Sequence, residues 1–438
     1  MDDHRLVKHR QPATPWTEGV TSVLSRKSHD RPSFPPILFV LVLICGLLDA
    51  TAVVSTATFG IGVYIVADAI AVTILIARAV ILPNPVEGIP RRHLTAGAAC
   101  IGLIWLLTII QVWKQVGTAS TLFTQASLRT ILIGHFLVCS TIIVTADKAK
   151  LLRTTLACGL ALYLAYGLYD MAAQLLGYPR FLSFLRNNAS FFISTEEGAQ
   201  GWIQLPRLSS LAAEPSHTLI HVSLALFVFM YMRGLSRILG VMLAITFALG
   251  TFSRTLWMTI LGGSIVTLGI RTLHRFERNS GAPYSRAAVF IAALCLPVIV
   301  ITVPLLPSIG ETGDLSFMER LDTSRTALWL FLDNPLLGVG FQGWQGQYFF
   351  FSDKLIGPAH GLSQVHNGFA VCLAAMGIAG LTIVYAPLLL LVSSEHLSPP
   401  AKGWWISTYC LSALGGDYIA MPSTWTALAV ALLWSVQD

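Results

Sequence analysis

What most limits the fold of this chain is a succession of long apolar runs with no charge inside them, such as "AAVFIAALCLPVIVITV" at 287–303. A helix of about 20 apolar residues spans the hydrocarbon core of a bilayer, and runs near that length recur from Ile37 to the C-terminus. Charged residues make up 11% of the chain, against about 25% in soluble domains, too few to solvate a globular surface. A membrane β-barrel would alternate apolar and polar residues over segments of about 10, whereas these runs are continuous. The predicted class is an all-α polytopic membrane protein.

Candidate spans fall at 37–57, 60–82, 94–112, 128–146, 151–176, 208–232, 237–252, 255–271, 286–306, 366–393, 403–415 and 417–435, about twelve transmembrane helices at bilayer length. The two around Ser253-Arg254 are short, which predicts a broken or tilted pair. Gly415-Gly416-Asp417 leaves only a tight turn before the last helix. The polar, basic tail 1–36 carries no pattern of a cleavable signal peptide. The seven cysteines are scattered through or beside apolar runs without metal-ligand spacing, which suits small buried hydrophobes.

Lys and Arg set the orientation. They concentrate in the tail (Arg5, Lys8, Arg10, Arg26, Lys27, Arg31) and in alternate connections (Arg78, Arg91, Arg92; Lys148, Lys150, Arg153; Arg233, Arg237; Arg271, Arg275, Arg278, Arg286). That side is expected to be cytoplasmic. The net charge of +6 therefore sorts with topology and does not point to nucleic acid. The expected organisation is a cytoplasmic tail (1–36), helices one to nine (37–306) with a periplasmic loop at about 177–207, a large periplasmic loop (307–365) between helices nine and ten, and helices ten to twelve (366–438). The large loop is acidic and contains an amphipathic stretch near 321–333; loops of this length usually have a function.

Several ionisable residues map to the outer rim against the positive-inside pattern: Arg207, Arg254, Arg320, Arg325 and His366, with Glu214 seven residues beyond Arg207. Charges at membrane depth are costly and tend to have a partner or a task. Arginines around one cavity suit a diphosphate, which they bind bidentately at any physiological pH, and a histidine beside them can exchange a proton. Each also has a structural alternative. Arg207 could snorkel, Arg254 could pair with a carboxylate, Arg325 could pair with Asp322 at the surface, Arg320 could be structural, and His366 could be a helix-end residue beside a capping Asn367. His217 and His221 share a helix face, but no third metal ligand is evident.

Four segments carry a family resemblance: "RLSSLAAEPSH", "FSRT", "SRTALWLFLDNPLLGVGFQGW" and "HNGFAVCLAAMGIAGL". In order and spacing they resemble the bacterial O-antigen polymerase and ligase superfamily of integral membrane glycosyltransferases, the Wzy/WaaL type. The resemblance covers roughly 201–392; the first five helices match only in hydropathy. It implies a fold related to C-type (GT-C) glycosyltransferases, an undecaprenyl-diphosphate-linked oligosaccharide donor, a glycan acceptor, and reaction at the periplasmic face of the inner membrane. The family's functional arginines match Arg254 and Arg325, its catalytic histidine matches His366, and polymerase-like members add an arginine matching Arg207. The expectation is a polysaccharide polymerase working by metal-independent, inverting transfer and without a cofactor. Arg254, Arg325, Arg207 and Arg320 would bind the diphosphate, and His366 or Glu214 would serve as base. A chain-length regulator is a candidate partner besides the bilayer. The alternatives are a ligase delivering the glycan to lipid A-core or protein, and, in a different class, a transporter or flippase.

Overall fold

The computed structural model of the chain describes residues 36–55, 60–81, 91–116, 118–146, 149–182, 185, 208–212, 215–306, 315–341 and 366–434. Arg207, Glu214, almost all of the tail and much of the 177–207 and 307–365 segments lie outside the described residues.

The chain is a helical membrane protein. Its first half comprises α1 (Pro36–Gly46), α2 (Val63–Ile81), α3 (Arg91–Trp113), α4 (Ala119–Ala146), α5 (Ala149–Leu176) and α6 (Leu219–Met230). Then come α7 (Gly234–Gly250), α8 (Arg254–Ser280), α9 (Tyr284–Thr302) and α10 (Leu315–Asp333). The last four are α11 (Gly368–Met376), α12 (Gly380–Ser393), α13 (Pro399–Ser412) and α14 (Pro422–Leu433). Among the described residues, 6 helical segments are long and apolar enough to cross a membrane, the joined α11–α12 being one, and shorter apolar helices lie between them.

The burial pattern suits a bilayer. Every described residue of α11, and residues 219–229 of α6 and 422–432 of α14, are buried inside the bundle. The periphery is apolar instead of charged. Ile238, Met242 and Leu249 on α7, Ile265 and Leu268 on α8, and Phe290 and Leu294 on α9 are exposed. On a soluble protein such faces would drive association; in a membrane they meet lipid tails. Helices then need close packing to associate, and α8 and α13 obtain it through glycines. A Cβ at Gly262 would lie 2.6 Å from Leu411, and one at Gly403 would lie 2.6 Å from Ile270. Some buried polar groups are paired between helices. His135 of α4 bonds Asp68 of α2 at 2.8 Å and Thr426 of α14 at 2.7 Å.

Four boundaries differ from the sequence expectation. The span expected at 37–57 stops at Gly46, and the chain forms an antiparallel hairpin, β1 (Ala52–Ser55) with β2 (Gly60–Gly62); the β-branched run Thr51, Val53, Val54 favours the extended chain. The span expected at 208–232 is irregular over 208–212 and begins as a 3-10 turn at Pro215–Thr218, since proline lacks an N–H and is best accommodated in a helix's first turn. The fourth helix starts at Ala119, earlier than expected. The break before Arg254 is present, but α8 is long and runs 27 residues to a left-handed Gly281 cap.

The turn after α10 docks onto the break between α11 and α12 through backbone hydrogen bonds. Val339 N–H donates to Ala374 O at 2.8 Å, Gly340 N–H to Ala375 O at 3.0 Å, and Ile378 N–H to Pro335 O at 2.7 Å. The Gln111 side chain from α3 donates to Leu337 O and Ala375 O, both at 2.7 Å. This contact fixes α10 against α11, and thus sets where His366 lies relative to Arg320 and Arg325.

Candidate functional site

The site is built where α7 ends, α8 begins, α9 ends and α11 begins. At the α7–α8 break, Phe252 adopts φ 48° and the Ser253 hydroxyl caps α8 by accepting from Leu256 N–H. Trp257 Nε1 donates back across the break to Ala248 O at 2.8 Å. Arg254 is thereby held exposed at the first position of α8. The helix macrodipole disfavours a cation there and favours an anion. A guanidinium beside helix N–H groups is an arrangement that binds phosphate.

Asn367 caps α11: its Oδ1 accepts from Phe369 and Ala370 N–H, both at 3.1 Å, and its Nδ2 donates to Val300 O of α9 at 3.0 Å. His366, just before the cap, is partly exposed, and its N–H donates to Thr323 Oγ1 of α10 at 3.4 Å. One turn away on α10, Arg320 NH1 donates to Gly415 O at 3.3 Å. Arg325 differs from the other arginines. It is buried, its Nε donates to Pro304 O at 2.6 Å, its NH2 donates to Leu306 O at 3.1 Å, and Asp322 lies 3.7 Å from NH1. The expected surface pair of Arg325 and Asp322 is therefore an interior one, anchoring the exit of α9.

These segments share a hub, residues 413–418 after α13. Gly368 N–H donates to Ala413 O at 3.1 Å, Arg320 reaches Gly415, and a Cβ on Gly415 would lie 2.4 Å from the side chain of Thr255, the residue after Arg254. Tyr418 hydroxyl donates to Ser216 O at 2.5 Å, and the His217 ring meets the Tyr418 ring edge-on at 6.3 Å. Arg320, the Pro-Ser-His run, and residues close to Arg254 and His366 (Thr255 and Gly368) thus meet one loop. Arg207 and Glu214 lie outside the described residues on either side of 208–212, where Leu208 N–H donates to Gly250 O at 3.0 Å.

Two hub partners were missed in the sequence. Asp417 bonds Arg129 of α4 at 2.5 Å, and the Arg129 guanidinium lies 4.9 Å over the ring of Phe341, in the glycine-rich turn after α10. A signal for Arg129 existed: a lone cation inside an apolar run is a functional candidate by default. The His217–His221 pair is not a metal site, since buried His221 donates to Leu47 O at 2.7 Å and stacks on Tyr163. Among the described residues no group of three His, Cys, Asp or Glu is placed to hold a metal ion.

The segments around the 413–418 loop carry cations, a helix N-terminus and a partly exposed histidine, residue types that suit polyanion binding joined to proton transfer. A comparison with curated proteins gives no match. A comparison with protein families gives one, the family described as O-antigen ligase, matched over residues 239–385. That segment contains Arg254, Arg320, Arg325 and His366 and leaves out Arg207, Glu214, Arg129 and Asp417. Residues 239–385, about a third of the chain, are thus similar to the O-antigen ligase family, in line with the resemblance read from the sequence.

Proposed function

We propose that the chain is a polysaccharide polymerase that joins undecaprenyl-diphosphate-linked glycan units at the periplasmic face of the bacterial inner membrane, with the N-terminus cytoplasmic and the segments about 177–207 and 307–365 periplasmic. The observation that carries the reading is that Arg320 and the near neighbours of Arg254 and His366, Thr255 and Gly368, all meet the 413–418 loop, with Arg254, Arg320 and His366 inside the family-matched segment. The acceptor hydroxyl attacks the anomeric carbon as the bond to the diphosphate oxygen breaks, which inverts the centre. The hydroxyl proton passes to His366. The departing diphosphate is stabilised by Arg254 and the N–H groups of α8, with Arg320 and Arg207 adding charge. Arg325 would join this clamp only by exchanging its carbonyl partners for phosphate oxygens. Glu214 is the competing base, or orients the histidine.

A second reading is a ligase that delivers the same glycan to lipid A-core or protein, and the description of the matched family favours it. The acceptor separates the two. In a deletion strain rescued with the wild type, a polymerase restores longer undecaprenyl-linked chains, whereas a ligase leaves chain lengths alone and moves the glycan to a new carrier. His366→Ala should abolish either product at normal protein level. Near-normal product from that variant would remove the base assignment.

A further inference from the structure

Arg129 lies ten residues into α4 from Ala119, about 15 Å along the helix. It is only 8% exposed, and one of its nitrogens is committed to Asp417. Its Nε and NH1, and the Oδ1 of Asp417, have no hydrogen-bond partner among the described residues. A part-buried ion pair satisfied this sparsely is a poor source of stability, since desolvation and solvent screening offset much of the attraction. What sets the pair apart is the location of its acid. Asp417 ends the Gly-Gly-Asp turn of the hub, and a Cβ on Gly368 would lie 3.4 Å from Asp417 Oδ1 and 3.2 Å from Gly416 O. The carboxylate therefore sits against the first residue of α11, two positions from His366.

We infer that Arg129 is a positioning residue for the transfer reaction: through Asp417 it fixes the 413–418 loop, and with that loop the mutual placement of His366, Arg320 and the start of α8. The inference rests on the glycosyl-transfer reading. Apart from Asp417, the loop grips these segments mainly through main-chain carbonyls and a glycine contact, so its own position decides theirs. Arg129 is the side-chain tether, and Phe341, under the guanidinium, ties the same point to the turn that docks α10. Neither Arg129 nor Asp417 lies in the family-matched segment. A small cavity lined by Arg129, Phe341 and Cys372 adjoins the pair, which leaves space for an apolar replacement.

The test compares Arg129→Met, Asp417→Ala and the double variant of the full-length protein in lipid nanodiscs, by melting midpoint, by transfer kinetics and by hydrogen exchange at 366–370 and 413–421. Each single variant strands a charge, the buried Arg129 or the half-buried Asp417, and lowers the midpoint. The double variant strands none, so its midpoint recovers. Its kcat is expected to stay down on the order of 100-fold, the cost of misplacing a reacting group by about 1 Å, with KM for the lipid-linked donor little changed and exchange faster in both segments. A purely structural pair would regain kcat together with the midpoint, and that result overturns the proposal. So do single-variant losses that multiply in the double, because tethered partners act as one unit. If the wild type transfers nothing from a lipid-linked donor, the glycosyl-transfer reading fails by itself. The exchange data still decide the tether, and unchanged exchange in the double variant overturns it.

Discussion

Gly338 gives the sharpest measure of how α10 is held to α11. Its φ is 65°, and an added Cβ would lie 2.4 Å from the carbonyl carbon of Ala375, 2.5 Å from its oxygen and 2.5 Å from the nitrogen of Met376. All three are backbone atoms of the last turn of α11, so no side chain can rotate away. Alanine at this position costs about 1–2 kcal/mol for the left-handed conformation alone. Relieving the clash pushes the turn off α11 and endangers the bonds from Val339, Gly340 and Ile378, at about 1 kcal/mol each with little water at that depth to replace them. The total for Gly338→Ala is about 4–5 kcal/mol, a fall in melting midpoint on the order of 5–10 °C, read in detergent by intrinsic fluorescence. Product should fall too, because the same contact sets His366 against Thr323 and Arg320. Gly269→Ala is the control. A Cβ there meets nothing within 4 Å, so in a helix interior it should gain up to about 1 kcal/mol. Wild-type melting and wild-type product from Gly338→Ala would refute the backbone docking and the account of the glycine-rich turn.

Arg254→Lys should keep the wild-type midpoint, since the side chain is exposed, and lose at least about tenfold in kcat/KM for the donor, because an ammonium lacks the bidentate fork; full activity would reduce Arg254 to an interfacial cation. Arg325→Lys should act mainly on stability. Lysine cannot hold both Pro304 O and Leu306 O, and buried hydrogen bonds to charged donors are worth about 1.5–3 kcal/mol each; an unchanged midpoint with a raised donor KM would instead put Arg325 on the diphosphate. Transfer should survive a divalent-metal chelator if arginines carry the leaving-group charge, and loss of activity restored by adding back a divalent ion would overturn that division of labour.

The membrane class and the break at Ser253 were legible because hydropathy, arginine placement and helix capping are local properties. The cap at Asn367 was legible for the same reason. The hairpin at 52–62 was not, since its β-branched residues are also apolar and read as one more stretch of span. The late start of α6 was concealed by the apolar residues at 208–212, which are buried without being helical. Arg325 was read as a rim cation because sequence shows its charge and hides its surroundings. Only the fold brings the ends of α9 and α10 together and gives the guanidinium its carbonyl partners.

The 413–418 hub was the least legible part of the site, for a physical reason. Ala413 and Gly415 act through their carbonyls, and the Tyr418 hydroxyl also ends on a carbonyl, that of Ser216. A carbonyl is the same group on every residue, so a contact that uses one leaves no mark on residue type beyond the glycines that permit the approach. Gly-Gly-Asp between two apolar runs then reads as an ordinary turn. The exception is Asp417, whose carboxylate demands a partner, but that partner is 288 residues earlier in the chain. A signature gathered from one contiguous stretch records side chains, here Arg254 to His366, the residues proposed to meet substrate. It passes over the main chain that aligns them and the distant arginine that holds that main chain in place. Arg129 and Asp417 are therefore where substitutions outside the matched segment should reach furthest into the reaction.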